Sequence, residues 1–335
     1  MGAGMKKTLG IVAFTACFMA TQAYATTNWN VSLWGKRRAF TENVEKLAEL
    51  VDKKTDGEFR LNISYGGLSK SRENLDGIAI GSFEMAQFCA FYHKKKNPTI
   101  TVSELPFASD VSLERMAEIS SSIYKHPTVV KDLARWNAML LMPTPLPQYN
   151  IVSTSQPLEA LSDFSGLRIR GPGGTLDVLQ KLEANKAGVP FSEVRQAMDS
   201  GVIDAAAFAP HAHLATNTLK VGKWVTSNLN LGSADCPVVV NRDAFNFLKP
   251  ELKKALLGSV DEALAYYIRN YETKTIARFE SAIEKQKLKQ VTFTPAQVEQ
   301  LDRLASEVRQ EWVETHKDEF DAQQLYDFTA DLFSK

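Results

Sequence analysis

Asp163-Phe-Ser-Gly-Leu-Arg-Ile-Arg-Gly-Pro-Gly-Gly174 reads as a strand, a turn and the first residues of a helix. Leu167 and Ile169 alternate with Arg168 and Arg170, so a strand through them sets both arginines on the face opposite the aliphatics. Gly171 to Gly174 breaks the strand, and Leu176, Leu179 and Leu182 then recur at helical spacing. A strand end facing a helix start is where an open α/β sheet leaves a crevice for ligands. Arg170 therefore stands at a crevice mouth, and its planar fork of donors suits a carboxylate.

Composition sets the outer limits. A chain of 335 residues, 44% hydrophobic and 23% charged, can build two globular lobes. Lysines and arginines balance aspartates and glutamates, 39 against 39, so nothing points to nucleic acid as a partner. At the amino end, Lys6 and Lys7 precede the apolar run Leu9 to Ala20, and Ala23-Tyr-Ala25 follows. That is the order of an export signal, so residues 1–25 are expected to be removed and the mature chain to act in the periplasm. Cys89 and Cys236 could pair there, yet a chain of this size needs no staple. Packing as small hydrophobes is the expectation.

The remaining pattern is strands alternating with helices. Asn30 to Leu33, Arg60 to Tyr65 and Phe83 to Cys89 read as strands around helices over Phe40 to Lys54 and Arg72 to Gly81, which predicts a parallel sheet. Leu113 to Trp136 reads as mostly helical, Pro237 to Asn241 as an interior strand, and Val291 to Pro295 as an edge strand. From Glu251 to about Lys289 an apolar stripe runs without proline, predicting one helix long enough to back two lobes. Pro295 to His316 and Leu325 to Phe333 close the chain as helices. Lys94-Lys-Lys96 reads as a solvated loop. His211 and His213 have zinc-like spacing but no third ligand nearby, so they are expected as solvent-facing or capping residues. Nucleophile elbows, phosphate loops and cofactor fingerprints are missing from the sequence, which argues for no cofactor and no enzyme.

Two motifs in order carry a resemblance. Asp163 to Arg170, and then Val189-Pro-Phe-Ser-Glu-Val-Arg-Gln-Ala-Met-Asp-Ser-Gly-Val-Ile-Asp204, resemble the central signature of DctP-type substrate-binding proteins of TRAP transporters. Glu104-Leu-Pro-Phe107 and Asn241 to Pro250 are similar to further pieces of that family. The resemblance implies an α/β, two-lobed periplasmic binding protein fold with a long helix spanning both lobes. Lobe one would comprise 26–149 and 237–275, and lobe two 150–236 and 276–335. It also implies a monomeric receptor that captures a small organic carboxylate and delivers it to membrane permease subunits, with Arg170 on the carboxylate.

Departures from the family pattern bear on the ligand. The family's second arginine position falls on Tyr149 or Asn150, an expected asparagine is Phe208, and Phe191 sits at an aromatic pocket position. With Gln87 and Phe88 from the first lobe, these residues complete the expected site. If the aromatic ones converge on Arg170, the ligand is a monocarboxylate with an apolar or aromatic body. Two other uses remain open: a sensor presenting the same lobes to a signalling partner, and an exported hydrolase built on His211, His213 or Asp204.

Overall fold

The computed structural model of the chain describes residue 1, residues 26–107 and residues 111–335. The expected export signal therefore lies, after its first residue, outside the described residues. Among those residues no helix is long and apolar enough to cross a membrane.

In chain order the strands are β1 (Thr27–Leu33), β2 (Phe59–Tyr65), β3 (Met85–Gln87), β4 (Ala138–Met142), β5 (Asn150–Ser153), β6 (Arg168–Arg170), β7 (Asn185–Lys186), β8 (Ala205–Phe208), β9 (Trp224–Thr226), β10 (Val238–Asn241) and β11 (Lys289–Val291). They form two sheets, β2-β1-β3-β10-β4 and β11-β9-β5-β8-β6-β7. In the first, β1 pairs parallel with β2 and β3. The expected all-parallel sheet stops there, because β10 returns from the other lobe and runs antiparallel between β3 and β4. Its four residues are all buried, as an interior strand of continuous valines requires.

Each lobe closes around its own core. In the first, Val44, Leu47 and Val51 of the helix Glu42–Lys54 pack on Trp29, Val31 and Phe59 of the sheet. In the second, Leu176 and Leu179 of the helix Gly173–Lys181 join Ile169, Trp224, Leu301 and Val308. Each such side chain contributes on the order of 1.5–3 kcal/mol when buried. The stretch Leu113 to Trp136 is two helices, Leu113–Lys125 and Pro127–Ala134, because Pro127 cannot continue the first and starts the second.

The long helix also differs from expectation. Pro250–Leu257 ends at Gly258, and a second helix runs from Val260 through a π-helical turn at Tyr271–Ile276 to Gln286. The continuous part is on the order of 40 Å long by its rise per residue, and it still reaches both lobes. Its first half packs on Glu42–Lys54 and β4, and its last part on the helix Pro210–Thr216. Tyr267 donates from its hydroxyl to the Pro145 carbonyl at 2.8 Å, and Tyr271 meets His211 one turn later.

The carboxyl end is divided between the lobes. Pro295–His316 packs on Gly173–Lys181, but Ala322–Ser334 packs on Leu113–Lys125 and the 3-10 helix Thr99–Glu104. Phe333 stacks on Phe107 at 4.4 Å, and Leu325 is buried beside Ile123. The last helix thus packs on elements of lobe one, whereas the resemblance implies 276–335 in lobe two. An amphipathic stripe says that a helix is covered on one face and is silent on which lobe covers it.

Candidate functional site

Two extended segments carry the chain across, 143–149 after β4 and 227–237 before β10, and they bond to each other where the Tyr149 N–H donates to the Gly232 carbonyl at 3.3 Å. Beside this crossing lies a narrow chamber of about 30 Å³ that gives onto a groove of about 740 Å³. Arg170 and Phe191 line both. The lobes meet closely at its edge: a side chain at Gly174 would overlap the Glu104 carbonyl oxygen, so the helix of lobe two can abut lobe one only with glycine there.

The two arginines of β6 part company. Arg168, at the exposed end, is held by Asp204 through Nε at 2.9 Å and Nη2 at 2.8 Å, a bidentate ion pair. Arg170 lies one alternation on, opposite Ala206 of β8, and is only 7% exposed. Its Nε donates to the Val189 carbonyl and its Nη2 to the Tyr92 hydroxyl, both at 3.3 Å, and its guanidinium lies 4.7 Å over the Phe208 ring. Both hydrogen bonds are long, and no carboxylate of the described residues pairs with it. A buried cation held only by neutral acceptors keeps its capacity for an anion.

Of the other residues expected here, Tyr149, Phe191 and Phe208 line the chamber. Phe191 meets Phe208 edge-on at 5.5 Å and Trp34 at 5.7 Å. The remaining three do not line it. Phe88 points into the core of lobe one against His93, because side chains alternate along the extended chain that continues β3 and its neighbour Cys89 takes the chamber side. Gln87 donates from its amide to the Phe40 carbonyl at 2.9 Å and the Thr144 hydroxyl at 3.0 Å, beneath the wall. Asn150 donates to the Thr226 carbonyl at 2.9 Å, tying β5 to β9.

Several wall residues were not anticipated. Trp34 and Phe40 come from the loop after β1, and Phe91 and Tyr92 from the turn after β3. Cys89 and Cys236 also line the chamber and are joined as a disulfide, against the expectation of separate packed thiols. They meet because β10 comes back beside β3, which no local pattern announces. His211 is in the wall too, stacked on Phe40 at 5.4 Å, with Nδ1 on the Tyr271 hydroxyl at 2.8 Å.

Neither histidine is solvent-facing. His213 is fully buried, with Nε2 on the Asn150 carbonyl at 3.0 Å and Nδ1 on the Thr218 hydroxyl at 2.7 Å. A carbonyl only accepts, so Nε2 carries the proton and Nδ1 receives one from threonine, leaving a neutral ring. Burial holds His213 down to about 4 and His211 well below the ordinary histidine range. With Asp204 committed to Arg168, the three residues considered for hydrolysis are engaged separately. The described residues bring together no cluster of histidine, cysteine or carboxylate able to hold a metal.

One buried carboxyl supports the wall from behind. Glu104 accepts the Phe91 N–H at 2.7 Å, and burial pushes it up to about 8 against the opposing pull of Lys94. A group neutral in the fold but ionised when unfolded destabilises the fold as pH rises from about 4.5 toward 8. Glu104→Gln keeps the acceptor for Phe91 and removes the titration. Urea unfolding across this range is expected to give the variant an advantage that grows with pH, to about 5 kcal/mol at most. Parallel curves for the two proteins would mean that Glu104 is ionised in place.

Arg38 lies against the chamber walls on the lobe-one side. Its guanidinium carbon lies 4.1 Å over Trp34, 4.2 Å over Phe40 and 5.5 Å from the centre of Phe191. Desolvation lowers it to about 9, which still leaves it charged at neutral pH.

The family model for bacterial extracellular solute-binding protein, family 7 (DctP) matches residues 31–316. A solute-binding protein of Sulfitobacter sp. (strain NAS-14.1) is 28% identical over 272 residues, covering 77% of this chain and 78% of that protein. Among solved structures, a marine metagenome TRAP solute binding protein specific for aromatic acid ligands, in complex with 3-hydroxybenzoate, superposes with a TM-score of 0.82 at 18% identity, over 92% of this chain and 98% of its own. A Bordetella pertussis extracytoplasmic solute receptor binding pyroglutamic acid matches with a TM-score of 0.78 at 21% identity, over 91% and 100%. With the family model spanning both sheets and the chamber between them, this chain belongs to the DctP family of bacterial extracellular solute-binding proteins.

Proposed function

We propose that this chain is the receptor of a TRAP transporter, exported by its first 25 residues, and that it works as a monomer. It captures an organic monocarboxylate where the interlobe chamber meets the groove and hands it to the membrane permease. The observation that carries this reading is the contrast within β6: Arg168 is saturated by Asp204, while Arg170 is buried at the chamber with no carboxylate partner among the described residues.

The walls indicate the body of the ligand. Trp34, Phe40, Phe91, Tyr149, Phe191 and Phe208 line the chamber with Arg170, and no aspartate or glutamate of the described residues does. A sugar acid there would lose water from several hydroxyls and find few partners. A flat apolar or aromatic acid buries its ring against the aromatic walls and keeps its charge on the guanidinium. One structural relative is described as specific for aromatic acid ligands and another as binding pyroglutamic acid, both consistent with a compact acid. Lobe opening about the two crossing segments admits the ligand, and closure removes water from the ion pair, which strengthens it.

A thermal-shift panel tests the reading: aromatic monocarboxylates, sugar acids and aliphatic dicarboxylates, each at saturating concentration. An aromatic acid at about 100 times its Kd is expected to stabilise the protein by about 2.7 kcal/mol. Stabilisation confined to sugar acids or aliphatic dicarboxylates would overturn the aromatic body, and no response to any acid would overturn the receptor assignment.

A further inference from the structure

Arg38 has donors left over. Its Nη1 donates to the carbonyls of Trp34 at 3.1 Å and Lys36 at 2.6 Å. Its Nε and Nη2 are buried and bonded to nothing. Those two N–H groups share one edge of the guanidinium and project side by side, the geometry that takes one oxyanion or two lone pairs of a single group. No ion pair among the described residues includes this side chain. Charged donors sealed from water without an acceptor are costly, so an otherwise well-packed site that keeps them has a partner to receive.

The position says where that partner lies. Arg38 faces Phe191, Phe191 meets Phe208 edge-on at 5.5 Å, and Phe208 lies under Arg170. On the other side Trp34, beneath Arg38, meets Tyr92 at 5.5 Å, whose hydroxyl accepts from Arg170. Two cations, one from each lobe, thus pack on the rings that line the chamber, Arg170 on Phe208 and Arg38 on Trp34, Phe40 and Phe191. We propose that Arg38 is a specificity-determining residue whose Nε–Nη2 edge takes a second oxygen of the ligand, remote from the carboxylate held by Arg170. The ligand is then an aromatic or cyclic acid that carries an oxygen substituent, a carbonyl or hydroxyl, on its ring.

This inference rests on the receptor reading above, and its test separates the two. Affinities are measured by calorimetry for benzoate and for its 3- and 4-hydroxy, formyl and carboxy derivatives, on wild type, Arg38→Met, Arg38→Lys and Arg170→Met. The wild type is expected to prefer at least one oxygenated acid over benzoate by about 10- to 100-fold, the scale of a hydrogen bond to a charged group. Arg38→Met keeps the stem between Trp34 and Phe40 and should erase that preference, the oxygenated acid falling much further than benzoate. Arg38→Lys keeps the charge without the fork and should lose most of it as well. Equal losses for benzoate and its derivatives in Arg38→Met would make Arg38 a wall residue only and overturn the proposal. A wild type that ranks benzoate with its derivatives would overturn it too, leaving the receptor reading intact as long as Arg170→Met abolishes binding. If no acid binds and Arg170→Met changes nothing, both fall.

Discussion

Arg170→Met is expected to bind the acid that best stabilises the wild type at least about 100-fold more weakly, a loss of about 3 kcal/mol or more. Three features set that size. The guanidinium is buried, so its attraction for a carboxylate is screened less than a surface pair. Its present partners, the Val189 carbonyl and the Tyr92 hydroxyl, are neutral and at long range, so little is surrendered when a carboxylate takes their place. Without the cation, the ligand carboxylate would be left desolvated among aromatic rings. Methionine preserves contact with Phe208, which separates loss of charge from loss of packing. Arg170→Lys should recover part of the affinity, since a point charge replaces a bidentate fork. Calorimetry checks both, and an Arg170→Met protein of undiminished affinity would show that the acid is held elsewhere.

The second large effect is on stability. Replacing Cys89 and Cys236 together by serine is expected to cost about 2–5 kcal/mol and to lower the melting temperature by roughly 3–8 °C. The bond links residues 147 apart in sequence, and chain-entropy arguments for so long a loop give about 5 kcal/mol. The lower part of the range is favoured because Gln87 and Val238, close by on β3 and β10, are already paired in the sheet. Burying two hydroxyls where sulfurs had packed adds a penalty in the same direction. A reductant should lower the melting temperature of the wild type toward that of the variant and leave the variant unmoved. Equal melting temperatures for oxidised wild type and variant would contradict the argument.

Local pattern revealed much of this architecture, and its failures have physical causes. Val44, Leu47 and Val51 announced their helix because one buried face imposes a 3.6-residue period. Arg170 was legible because a strand, a glycine turn and a helix put a side chain at a crevice from sequence neighbours alone. Trp34, Arg38 and Phe40 were not. They lie between β1 and the helix Glu42–Lys54, where Lys36-Arg-Arg38 reads as solvated, and the guanidinium of Arg38 is buried by folding back between Trp34 and Phe40 with Phe191 of the other lobe beyond. Phe88 and Cys89 show how little separates wall from core: one step along extended chain exchanges the two faces. The disulfide and the lobe of the last helix depend on contacts between distant segments, which no window of sequence contains.

The helix from Val260 to Gln286 is tied to the Pro145 carbonyl through Tyr267 and to His211 through Tyr271, two anchors a single turn apart. The same helix lies along Glu42–Lys54 on one side and Pro210–Thr216 on the other, so it moves with both lobes only by bending between them. The closure proposed above would then strain the span between these two anchors, where the helix takes its π-helical turn at Tyr271–Ile276.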